Sequence, residues 1–116
     1  NINLIKNKSS LKYYFDRSDF SIVTGGIVMF ESIASCTPTY VIQNYQHQKY
    51  AIDFFSNKKF VKKLGSYNNF KRNLNNLLKN NPDHLIKNFD LKKMKYCIDG
   101  YGLYRVEKII KETILK

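Results

Sequence analysis

Asp19-Phe20-Ser21-Ile22-Val23-Thr24-Gly25-Gly26-Ile27-Val28-Met29-Phe30-Glu31-Ser32-Ile33-Ala34 is the stretch on which the fold turns. Residues 20–23 form a brief apolar run rich in β-branched and aromatic side chains, which predicts a buried strand. Two glycines come next, able to take φ > 0 and to let another group approach the backbone. A helix is predicted straight after them. Its first amides have no partner within the helix and point back at the turn, where an anion such as a phosphate could sit. Ile27, Phe30 and Ala34 fall on one helical face, with Glu31 at its edge. An unpaired carboxylate is costly to bury. Glu31 therefore either faces solvent or accepts hydrogen bonds in a cleft, for example from sugar hydroxyls. The glycine pair has two readings as well: a tight strand-to-helix turn and nothing more, or an anion-binding turn.

The rest of the chain sets bounds on these readings. Its 116 residues suffice for one domain, 1–116, with a modest core. Beginning at Asn1, it is expected to be a piece of a longer protein. No run approaches the length of a membrane span and no signal peptide is visible. Cys36 and Cys97 lie far apart without metal-ligand spacing, and are expected to be buried, reduced and cytoplasmic. The net charge of +11 suits an anionic ligand. Its lysines are scattered, however, and arginine, the usual reader of bases, is confined to Arg17, Arg72 and Arg105, so nucleic acid is not the expected partner.

Working outward, residues 2–5 could form a short strand, and Ser9-Ser10 could cap a helix through residue 17. After the central helix, Cys36-Thr37-Pro38 breaks the pattern, and Thr39-Tyr40-Val41-Ile42 predicts a second, parallel strand reached by a helical crossover. The polar run Gln43-Asn44-Tyr45-Gln46-His47-Gln48 comes after it. In open parallel sheets ligands bind beyond the carboxyl ends of the strands, so this run and the glycine turn are expected on one edge. His47, Tyr50, Ala51, Phe54 and Phe55 mark another helix, and residues 60–65 a third strand. Tyr67, Phe70, Leu74, Leu77 and Leu78 repeat at helical spacing. The turn Asn80-Asn81-Pro82-Asp83 starts a short surface helix over residues 84–88, which carries His84. Asp99-Gly100 precedes a closing amphipathic helix with Leu103, Val106, Ile109, Ile110 and Ile114 on one side. Glu107–Lys111 and Glu112–Lys116 pairs are expected on the other side. Asp99 is read as its cap and Arg105 as a partner of Asp99 or of a phosphate. The alternation predicts an α/β fold, Rossmann-like, with a small parallel sheet of three or four strands in an α/β/α arrangement.

Thr24-Gly25-Gly26, then Glu31, Ala34, Pro38 and the Gln/His/Gln cluster before Ala51 resemble the C-terminal domain of GT-B-fold nucleotide-sugar enzymes. The lipid II-forming N-acetylglucosaminyltransferase has a similar layout. The ending Asp99-Gly100-Tyr101-Gly102-Leu103-Tyr104-Arg105-Val106 looks like the UDP-sugar hydrolases of the pseudaminic acid pathway and their spore-coat polysaccharide relatives, sometimes fused to CMP-sialic acid synthetase modules. The resemblance implies the UDP-binding lobe of a hydrolase acting on a UDP-linked diacetamido-trideoxy sugar, or the donor-binding domain of a glycosyltransferase. It implies that Thr24 and the backbone of Gly25, Gly26 and Ile27 hold the UDP phosphates, and that Glu31 holds the ribose. A catalytic Asn–Gln pair would fall among Asn44, Gln46 and Gln48, with His47 either a proton carrier or a structural hydrogen-bonder. The partners implied are a UDP-sugar and an N-terminal lobe of the same chain, with no cofactor and no metal. Alone, this lobe is expected to turn nothing over. A reading of a different class is a basic, non-catalytic module that binds polyanions.

Overall fold

The computed structural model describes residues 2–79 and 81–114. It is a mixed α/β fold in which three parallel strands lie in the order β1-β2-β3: β1 (Ser21–Thr24), β2 (Thr39–Gln43) and β3 (Val61–Ser66). Ser21 to Thr24 pair in register with Thr39 to Ile42. Thr39 pairs with Val61, and an irregularity comes after Val41, so that Ile42 meets Gly65. Seven helices are present among the described residues: α1 (Lys12–Asp16), α2 (Ile27–Ala34), α3 (Lys49–Asn57), α4 (Phe70–Leu78), α5 (Pro82–Leu85), α6 (Leu91–Cys97) and α7 (Gly102–Ile114). The three strands and the two crossover helices stand within a residue or two of where the sequence puts them.

The pleat decides which side chains enter the core. Thr39 and Val41 share one face of β2, and Tyr40 lies on the other. On the first face Val41 and Val61 join Met29 and Ile33 of α2, Ile52 and Phe55 of α3, Phe60 and Met94 in one buried cluster. Thr39 is polar yet fully buried, because its hydroxyl meets those of Ser32 and Ser21 and donates to the Thr37 carbonyl (2.7 Å). On the second face Tyr40 is edged by the rings of Phe20 and Phe89 and donates to the Leu85 carbonyl at 3.0 Å. Burial pushes the Tyr40 hydroxyl up in pKa. Lys62, beside it, lies over the Phe89 ring and reaches the Lys87 carbonyl, and burial pulls its ammonium down.

Several sequence expectations fail for identifiable reasons. Residues 2–5 form no strand. Leu11, not Ser9 or Ser10, precedes α1, and no side chain caps it. The apolar face of α2 is not the one formed by Ile27, Phe30 and Ala34. Ile27 is 77% exposed, while Met29, Ser32 and Ile33 are buried. With apolar residues nearly all round α2, the wheel alone does not choose, and Ser32 enters the core because Thr39 waits there for its hydroxyl. The short helix after Pro82 spans Pro82–Leu85 rather than 84–88, with Asn81 as its cap. Asn80 of that turn and the expected Glu112–Lys116 pair involve residues outside those described. Glu107 and Lys111 do pair, at 2.8 Å. Helix α6 has no counterpart among the elements that the sequence predicts.

Asp99 shapes the entry to α7. Its Oδ1 accepts the Tyr101 amide (2.9 Å), an Asx turn ahead of the helix rather than the cap itself, and Arg105 grips the carboxylate with two N–H groups at 2.8 and 2.9 Å. The Arg105 guanidinium first, and the Tyr101 amide second, hold this carboxyl at about 2. A carboxyl depressed in the folded chain adds stability that is fully present above the ordinary aspartate value, about 3.9, and lost as pH falls through about 2. A carboxylate-detected NMR titration should give that low midpoint for Asp99. In Arg105→Gln the midpoint should return most of the way to the ordinary value. An unchanged midpoint in the variant would show that the guanidinium is not the cause.

Candidate functional site

The segments that leave the three strands converge at the carboxyl edge of the sheet. Residues 25–26 come after β1, 44–48 after β2 and 67–69 after β3, and the Tyr67 amide donates to the Gln43 carbonyl at 3.0 Å. The glycine turn and the polar run predicted to share an edge do so.

Neither turn glycine takes a positive φ. Gly25 is glycine for a different reason: a Cβ there would stand 2.5 Å from Ile52 Cδ1 and 2.8 Å from Cγ1, inside the core. Its N–H is spent on the Ile42 carbonyl (3.2 Å), extending the β1–β2 ladder by one rung. Gly26 is the N-cap residue of α2 (φ −95°, ψ −149°), and no side chain caps the helix there. The first-turn amides of Ile27 and Val28 have no partner within the helix. The group that could face an anion is therefore shifted one residue onward from the glycine pair, to Gly26, Ile27 and Val28. Thr24, at the end of β1, is exposed. Glu31 is exposed as well, on the side of α2 turned from the core, near Ile27 and Phe30.

Gln48 ties the two clusters together. It is the last residue of a 3-10 turn, Gln46–Gln48, and is buried despite its amide. Its Oε1 accepts the amides of Asn44 (2.9 Å) and Tyr45 (3.2 Å), which fixes the loop after β2. That leaves Nε2 on the other side, 3.8 Å from where a Cβ on Gly26 would be. A carboxamide donor is thus held beside the uncapped start of α2. Asn44, Gln46 and His47 are not buried in this way, and the His47 ring lies parallel to that of Tyr45 with centroids 5.7 Å apart. Of the candidate residues Asn44, Gln46, His47 and Gln48, Gln48 is the one whose side chain is buried and hydrogen-bonded to the loop. No sequence signal separates it from Gln46, because both flank the same turn and only packing distinguishes them.

Both cysteines are free; Cys36 is half-buried and Cys97 exposed, so the expectation of two buried thiols is corrected. Cys97 ends α6, the helix without a predicted counterpart. Among the described residues no group of three or more His, Cys, Asp or Glu side chains is placed to hold a metal ion. No described helix is long and apolar enough to cross a membrane. Comparison with protein-family models, with curated proteins and with solved structures gives no match.

Proposed function

We propose that the chain is the nucleotide-binding lobe of a two-lobed enzyme that acts on a UDP-sugar. It would be the C-terminal half of a GT-B-like α/β/α fold, with the second lobe closing over the sugar. One observation carries this reading: an uncapped helix start at the carboxyl edge of a parallel sheet, with the Gln48 amide Nε2 beside it. Amides at a helix N-terminus favour an anion through their own partial charge and their unpaired N–H groups. The diphosphate would lie against Gly26, Ile27 and Val28, and Gln48 would donate to it. Glu31, a turn later and exposed, would accept from the ribose hydroxyls. His47 and Asn44, on the same edge, would face the sugar. Hydrolase and transferase differ in whether water or a hydroxyl attacks, a choice that rests with the second lobe, and the chain alone would release no product.

An amide-resolved NMR titration tests the reading. UDP should give saturable shifts centred on residues 25–31 and on Gln48, larger than those of UMP or inorganic phosphate. Gln48→Ala, whose freed loop amides can turn to water, should stay folded and weaken UDP binding about tenfold. Equal, unsaturated shifts with all three anions would end the proposal. The competing reading, a basic polyanion-binding module, rests on the +11 net charge. It predicts diffuse binding of many polyanions with a steep dependence on salt.

A further inference from the structure

A concave feature lies away from the carboxyl edge. It opens between the end of α3 and the outer side of α6, where Phe60 leads into β3. Its volume is about 610 Å³, and it is a shallow depression largely open to solvent. Phe54, Phe60, Tyr96 and Cys97 wall it, and the charges that line it are all cationic: Lys58, Lys92 and Lys93. Phe54 is 45% exposed and Tyr96 75%, so two partly open aromatic rings lie beside the ammonium groups. Lys58 Nζ hangs 5.0 Å over the Phe54 ring, a cation–π contact that parks a charge at the mouth. Lys93 leans toward Asp90 at 3.9 Å, a loose exposed pair that neutralises little. Exposed aromatic walls under an unbalanced set of lysines complement a molecule with an apolar body and an anionic end.

We propose that this cleft binds a small anionic amphiphile: a carboxylate on a medium-length alkyl or aryl body, the body against Phe54 and Tyr96 above the buried Phe60, and the carboxylate between Lys58 and Lys92. The site is independent of the nucleotide reading, since Phe60 stands at the amino end of β3 and Gly26 beyond the carboxyl end of β1. The Cys97 thiol in the wall serves as a reporter.

Decanoate, kept below its micelle-forming concentration, is the probe. Titration of the chain should give saturable amide shifts centred on Phe54, Lys58, Tyr96 and Cys97, and should slow alkylation of Cys97 by iodoacetamide severalfold while leaving Cys36 unaffected. UDP should not displace it. Decyltrimethylammonium, with the same chain and the opposite charge, should bind at least tenfold more weakly. Lys58→Gln with Lys92→Gln, both at exposed positions outside the buried cluster, should weaken decanoate about fivefold without changing thermal stability. Equal binding of the two amphiphiles overturns the proposal. So do shifts centred instead on the exposed apolar face of α7, at Leu103, Val106 and Ile110, which would show adsorption to any apolar surface.

Discussion

Met94→Ala should lower the unfolding free energy by about 2–5 kcal/mol, the range for truncating a fully buried large aliphatic side chain. Met94 has no solvent exposure and sits in the same cluster as Met29, Ile33 and Val61, so its removal leaves a void bounded by α2 and the sheet. Against a total of about 5–15 kcal/mol for a domain this is a large fraction. A urea titration would read it as a drop in the midpoint with little change in slope. Met94→Leu, close in volume, should cost under about 1.5 kcal/mol. The pair of variants separates lost packing from a failure of α6 to form. Asp90, whose side chain accepts the Lys93 amide at 3.1 Å, still caps the helix in both. A loss below about 1 kcal/mol for the alanine variant would mean that α6 does not dock on α2 in solution.

The same helix shows where the sequence stops being legible. Leu91-Lys92-Lys93-Met94-Lys95-Tyr96-Cys97 offers one core residue among three lysines, too short a stripe for a periodic signal. The strands and crossover helices are readable because their burial is written in runs: residues 20–23 and 39–42 are largely apolar or β-branched, residues 60–65 carry Phe60, Val61 and Leu64, and turn residues separate them. The unreadable features depend on choice among equivalents. Two helices end without the glycine that usually marks such an end. Cys36 after α2 and Lys59 after α3 take φ of 55° and 63°, and the paired bonds Thr37 N to Ser32 O and Phe60 N to Phe55 O close each end. The wheel of α2 does not choose between its faces because the helix is apolar nearly all round, and the buried one is that of Met29, Ser32 and Ile33. The site divides in the same way. Its place on the carboxyl edge is fixed by strand order, whereas the roles of Gly25 and Gln48 depend on contacts with Ile52 and with loop amides that no spacing reveals.

That division makes Gly25 the more informative of the two glycines to change. Gly25→Ala should cost about 1–3 kcal/mol by overpacking, since the new methyl group meets Ile52 in a core position with 2% exposure. Ile52→Ala alone should cost about 2–5 kcal/mol through the cavity it leaves. The two together should cost less than their sum, by about 1–3 kcal/mol, because each change supplies what the other lacks, and a double-mutant cycle measures that coupling directly. Additive losses would mean that Ile52 moves aside freely and that packing does not explain the glycine. The cycle also bears on ligand binding. Gly25 gives its amide to Ile42, so it has none to offer a diphosphate. The double variant, if folded, should therefore retain the UDP-induced shifts at Gly26, Ile27 and Gln48. If instead those shifts vanish while the fold persists, position 25 acts on the nucleotide through its backbone conformation, and the glycine pair works as a unit rather than as one packing residue and one helix start.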